Sequence, residues 1–156
     1  MHDAQSNLLF PTLSARNLAG CTFLLPAGLG GERNVLVLIF QSAQHALAAD
    51  WFPFLERLLA RQCGLQVYEI ALVPSVYTLA RPFIDGGMIA GTPDRAIRER
   101  TLTSYTDVAQ ITQALGITAA SIAVLLVDRA GQVLWCGQGA YHPAQAAMLE
   151  RLADQW

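Results

Sequence analysis

The chain contains no lysine: all ten of its basic residues are arginine, set against twelve acidic residues for a net charge of −2. That balance offers no basic surface for nucleic acid or an anionic membrane, since such binding scales with the phosphates a protein neutralises. Charged residues of every kind make up only 14% of the sequence and apolar residues 53%, the opposite of a disordered composition. Base composition of the coding sequence is the ordinary source of an all-arginine set. A selected anion site would need those arginines to converge in space.

Cysteine is scarce and badly placed for the usual uses. Cys21, Cys63 and Cys136 are odd in number, widely separated and free of C-x-x-C or Cys/His ligand spacing, which excludes a disulfide scaffold or a structural zinc site. His2, His45 and His142 are equally dispersed, so no metal and no other cofactor is expected. No apolar run reaches membrane-spanning length; Asn34 to Phe40 and Ile122 to Val127 are strand-sized. The opening MHDAQSNLLFPTLSARNL lacks the basic head and apolar stretch of a secretory signal. The expectation is a soluble cytoplasmic protein, one domain over 1–156, with residues 1–9 a mobile N-terminus.

What is present alternates between strand and helix patterns. Phe10 to Leu13 and Gly20 to Pro26 read as short edge strands with prolines at their ends. Val35 to Phe40 is an unbroken apolar run, as in a strand covered on both faces. Trp51, Phe54, Leu55, Leu58 and Leu59 form one helical stripe, in a helix starting between Ser42 and Asp50, with Asp50 a cap for its second half and Gly64 closing it. Leu65 to Val73 is rich in strand formers, and Pro74 to Arg100 is broken by Pro82, Gly86, Gly87, Gly91 and Pro93 into short helical pieces and loops. Thr101 to Tyr105 alternates as a strand, and Asp107 caps a helix stopped by Gly116. Ser121 to Val127 and Gln132 to Cys136 flank a Gly-ended turn, a hairpin signal. Pro143 opens a last helix expected to turn Ala144, Ala147, Met148 and Leu152 inward. This order, βαβ and then ββα, predicts an α/β fold: a central mixed sheet flanked by helices on both faces, with short N-terminal strands added.

Phe10-Pro11, Leu25-Pro26 and Val35 to Phe40, with Tyr105-Thr106-Asp107, Leu115-Gly116 and Leu125 to Trp135, resemble the alkyl-hydroperoxide-reductase and thiol-specific-antioxidant (peroxiredoxin-like) branch of the thioredoxin superfamily. The likeness spans nearly the whole chain and implies a thioredoxin-like fold. Phe83 to Gly91, Arg98 to Asp107 and Leu134-Trp135 with Gly137 and Gly139 are similar, more narrowly, to thioredoxin-like relatives of ATP synthase assembly factors. That narrower likeness implies an assembly helper.

The redox chemistry of the superfamily is missing. It requires a cysteine where the first central strand enters its helix, because the helix N-terminus stabilises a thiolate. Here that stretch is Gln41-Ser42-Ala43-Gln44-His45-Ala46-Leu47, and no residue from 22 to 62 is cysteine. The proline that grips substrate before the third central strand is also absent from Gly116 to Ile122.

Two expectations follow. The leading one is a non-redox binding or assembly-helper module that uses the degenerate groove for a protein or peptide partner, with a homodimer left open. Its candidate groove residues are Gln41, Ser42, Gln44, His45, Phe52, Met88, Arg98 and Arg100. Arg98 or Arg100 would fold back toward Gln44 and His45 to hold an anion, whereas the ordinary reading of residues 94–100 is a solvated helix face with local ion pairs. Ser42, Gln44 and His45 have their own ordinary use as helix caps. The competing expectation is a divergent thiol peroxidase or oxidoreductase working through Cys136 or Cys63. Hydrolysis is set aside, since no G-x-S-x-G elbow occurs and no carboxylate is evidently placed to orient His45. Glu69 stands alone in an apolar strand; facing inward it would need a partner, for which an arginine is the natural candidate.

Overall fold

The computed structural model describes residues 8–155; the expectation of a mobile terminus falls mainly on residues 1–7, outside them. Leu9 forms an antiparallel bridge with Gln132, so the chain is already anchored there.

The strands run in the order β1 (Leu13–Asn17), β2 (Thr22–Leu25), β3 (Arg33–Ile39), β4 (Leu65–Pro74), β5 (Thr101–Thr106), β6 (Ala123–Asp128) and β7 (Val133–Gln138). They assemble into one seven-stranded sheet ordered β2-β1-β5-β4-β3-β6-β7. β4 lies parallel to both β3 and β5, and every other neighbouring pair is antiparallel. The N-terminal strands correct the sequence expectation in two ways. Phe10 to Thr12 precede β1, and β1 is interior, pairing with both β2 and β5, so of these two strands β2 alone is an edge.

Helices cover both faces, as the parallel βαβ connections require. On one face α1 (His45–Arg61) and α5 (Pro143–Ala153) pack Trp51, Leu55, Leu58, Leu149 and Ala153 against Val35, Val37, Ile39, Val67, Val124 and Leu126. The other face joins Leu36, Leu38, Ile70, Leu72 and Leu102 to Ile111 and Leu115 of α4 (Val108–Leu115) and to Phe10, Leu13 and Leu25. Between β4 and β5 lie a 3₁₀ stretch (Ser75–Ala80), α2 (Arg81–Ala90) and α3 (Arg95–Arg100), the short helical pieces read from the broken pattern.

Local chemistry accounts for most boundaries. Asp94 accepts hydrogen bonds from the amides of Ala96 and Ile97, Asp107 from Gln110 and His142 from Ala144, each capping its helix. Gly116 ends α4 at φ 69°, a conformation that glycine adopts without penalty. Asp50 caps nothing: α1 passes through it unbroken and holds Pro53 in its interior. Pro53 and Ala49 are both exposed, so the carbonyl left without a donor faces water. The last helix is rotated from its expected setting, burying Ala146, Leu149 and Ala153 and leaving Ala144, Ala147 and Met148 exposed. Alanine-rich stripes leave phase underdetermined, and Leu149 fixes it. Among the described residues no helix is long and apolar enough to cross a membrane.

Candidate functional site

Register places the site. Val37, Glu69 and Thr101 sit side by side on β3, β4 and β5, followed one pleat on by Ile39, Ala71 and Thr103. Side chains alternate along a strand, so these rows share the face that carries α1. α1 covers the β3 side of that face. α2 covers the β5 side, since Asp85 of α2 receives hydrogen bonds from Thr103 Oγ1 (3.2 Å) and Tyr105 Oη (2.8 Å). A groove of about 470 Å³ opens between the two helices at the C-terminal ends of β3 and β4, lined by Ile39 to Ser42, His45, Ala71 to Pro74, Tyr77, Ile84, Gly87 and Met88.

His45, the first residue of α1, is the one charge-bearing side chain in that lining that titrates near neutral pH. Its Nδ1 lies 3.2 Å from Glu69 Oε2, with side chains 41% and 17% exposed. The Glu69 hydrogen bond raises the His45 pKa above its ordinary 6.5, while partial burial pulls the other way. Glu69 therefore finds a histidine and not an arginine, and His45 does have an orienting carboxylate. Both corrections come from the parallel β3–β4 register, which swings a residue of the next strand beneath the start of α1.

Gln44 is buried and serves the fold. Its Oε1 accepts from the Phe40 amide (2.9 Å) and its Nε2 donates to the Ala119 carbonyl (3.0 Å), tying the end of β3 to the loop before β6. No side-chain cap forms at Gln41 or Gln44. Gln41, Ser42, His45 and Met88 thus come together in the groove. Phe52, Arg98 and Arg100 do not. Arg98 donates to the Ile89 carbonyl in the last turn of α2 (3.0 Å) and to the Thr92 carbonyl just beyond it (2.5 Å). Arg100 pairs with Glu56 of α1 and lies over the half-buried Phe52 ring, 5.6 Å from its centroid. The arginine return toward His45 is replaced by links that fasten α3 to α1 and α2.

α2 is fastened to the sheet by polar contacts. Arg81 Nε bonds Asp85 Oδ2 at 3.1 Å, and its guanidinium lies 4.6 Å from the Tyr105 ring centroid. Burial, then the bond to Asp85, pushes the Tyr105 phenol above its ordinary range. The outer side of the same segment is bare and apolar: Val76, Leu79 and Phe83 are 81%, 95% and 83% exposed, and Tyr77 links this strip to the groove. Sequence reasoning missed Glu69's role, Tyr77, Ile84 and Gly87; the detectable signal was the lone carboxylate in β4.

None of the cysteines reaches the groove. Cys21 precedes β2, Cys63 follows α1 at the far end from His45, and Cys136 lies on the edge strand β7. Desolvation by the atoms around Cys136, whose side chain still reaches the surface, pushes its pKa up to about 11, against thiolate formation. It borders a second cavity, of about 1010 Å³, between β7, the end of α4 and α5. The cis proline is Pro26, at the end of β2 beside the β6–β7 turn, where a Cβ on Gly131 would come within 2.7 Å of its ring. The turn lies opposite the groove, because Asp128 pairs with the first residue of β3. Among the described residues no cluster of three metal-ligating side chains occurs.

Solved structures similar to this chain match it over nearly its whole length. A thiol:disulfide interchange protein from Bacteroides sp. matches at 13% identity and TM-score 0.65, over 96% of this chain and 90% of that one. BsSco, of the Sco family of cytochrome c oxidase assembly proteins, matches at 13% identity and TM-score 0.64, over 96% of each. A thioredoxin-like protein from Aeropyrum pernix matches at 14% identity and TM-score 0.59, over 93% and 89%. No protein-family model and no curated protein matches the sequence. The fold is thioredoxin-like.

Proposed function

We propose that the chain is a non-redox thioredoxin-like binding module, an assembly helper that docks a protein partner across the groove and its apolar rim. The observation that carries this reading is the content of the helix start after β3. Where thiol:disulfide chemistry needs sulfur, this chain has an apolar cleft with the His45–Glu69 pair. Support also comes from the bare strip of Val76, Leu79 and Phe83, since exposed apolar patches mark interaction sites. The assembly-helper role accords with the resemblance to ATP synthase assembly-factor relatives, and with the name of BsSco, a protein of the same fold.

The test is an insulin-reduction and peroxide-consumption assay on the wild type and on a Cys21/Cys63/Cys136→Ser triple variant, alongside co-purification of wild type and Phe83→Ser. The expected result is no turnover in either protein and a partner lost from Phe83→Ser. Turnover that vanishes with one sulfur would replace this reading with a divergent thiol enzyme acting through that cysteine.

A further inference from the structure

The interior of the groove is built for something other than a peptide strand. β3, β4 and β5 are all interior strands of the sheet, so no free strand edge opens into the cleft. An extended backbone would find no ladder partners there. About 470 Å³ of open cleft bordered by the sheet, α1 and α2 is instead the scale of a small-molecule site. Its walls are Ile39, Val73, Tyr77, Ile84 and Met88, with His45 at one end. Gly87 lines it, and a Cβ there would meet no atom within 4 Å, so the space beside it is empty.

His45 supplies a directed polar contact. Its Nδ1 is committed to Glu69 Oε2 at 3.2 Å, and among the described residues its Nε2 has no hydrogen-bond partner. Protonated, it offers Nε2–H as a charged donor, while Glu69 lies on the far side of the ring. The pair therefore turns its positive end to the cleft. Among the described residues, the titratable groups that pair with it, line the cleft or hold its wall are Glu69 from β4, Tyr77 from the 3₁₀ stretch, and Arg81 with Asp85 from α2, which are engaged with each other and with Thr103 and Tyr105 of β5.

We propose that the groove binds a small monocarboxylate with an apolar tail, its carboxylate accepting a hydrogen bond from His45 Nε2 and its tail lying along Ile39, Val73, Ile84 and Met88. A charge-assisted donor favours an anionic oxygen over a neutral one, and an amine would present only donors to a donor. The assignment rests on the same open cleft as partner docking and deepens that reading; docking draws in addition on Val76, Leu79 and Phe83 outside it.

The test is a titration of the ¹⁵N-labelled protein at pH 6 with octanoate, octanamide and octylamine, followed by amide shifts and by the His45 ring resonances. Octanoate is expected to bind tightest, to move residues 39–45, 71–74 and 84–88, and to raise the His45 pKa. His45→Gln, which keeps a neutral donor, is expected to weaken octanoate by about tenfold or more, toward octanamide. Gly87→Leu is expected to abolish binding of all three while favouring the helix. Equal binding of octanoate and octanamide, no octanoate binding, or an unchanged affinity in either variant would overturn the assignment. If the assignment fails while Phe83→Ser still loses the partner, docking stands; if octanoate binds and no partner depends on Phe83, docking alone falls.

Discussion

One face of the sheet carries two kinds of cover. Over β3 and β6, α1 and α5 are held by apolar burial: Trp51 is fully buried, packs edge-on against Tyr141 at 5.3 Å between centroids, and donates Nε1–H to the Gly139 carbonyl. Over β4 and β5, no residue of α2 or α3 is buried, and the segment is tied down by Arg81, Asp85 and Arg98. Apolar packing loses contact energy when two surfaces part, whatever the direction of movement. A few directional bonds can instead pivot or be remade by water. The first cover is scaffold and the second is an adjustable wall, and the groove lies along their seam.

The comparison breaks most visibly at Trp51. Trp51→Ala should cost about 3–5 kcal/mol, measured by denaturant unfolding, since it leaves a large cavity and orphans the Gly139 carbonyl. Asp85→Ala should cost less, about 1–3 kcal/mol, through lost bonds to Arg81, Thr103 and Tyr105. Its diagnostic effect is local: amide exchange should quicken over residues 75–90 while α1 and β3 stay protected. Equal deprotection of both covers would show that α2 belongs to the core.

The same division explains what could be read from the sequence. Scaffold elements announce themselves: the run Val35 to Ile39 and the stripe Trp51, Leu55, Leu58 each carry the period of their structure, because burial selects residue type at every turn. Pro74 to Arg100 carries no such period, since its helices bury nothing completely. Its ties run between positions eighteen and twenty residues apart, from Asp85 to Thr103 and Tyr105, beyond any local spacing rule. His45 was legible as the side chain replacing a thiolate. Its partner was not, because Glu69 meets it only through the parallel register of β3 and β4. Arg98 and Arg100 were misplaced for a related reason. Charge proposes a partner of opposite sign, whereas Arg98 was taken by helix-end carbonyls.

A smaller effect lies at the seam itself. Glu69→Gln should lower the His45 pKa, because the carboxylate charge goes and an amide oxygen is a weaker acceptor for the imidazolium, while the opposing burial remains. A group whose pKa is raised on folding stabilises the native state below its unfolded value of about 6.5 and loses that contribution as pH climbs through the folded value. The wild type should accordingly lose a small increment of stability as pH climbs upward from about 6.5, and Glu69→Gln should lose less. An NMR titration of the His45 ring in both proteins, beside their unfolding midpoints at pH 6 and pH 8, reads both consequences.

The smallest expected change in stability is at Leu79 and Phe83. Both are almost entirely solvated, so polar substitution removes little packing, and Leu79→Ser or Phe83→Ser should lie within about 0.5 kcal/mol of wild type. Near neutrality is itself informative. These side chains sit on the outer side of a segment whose inner side is tied to the sheet by Arg81 and Asp85, so serine there would cost the fold almost nothing. If unfolding shows either variant destabilised by much more, those side chains belong to the adjustable wall's own packing. If stability holds while partner binding falls, the strip is the surface on which the second cover meets another molecule.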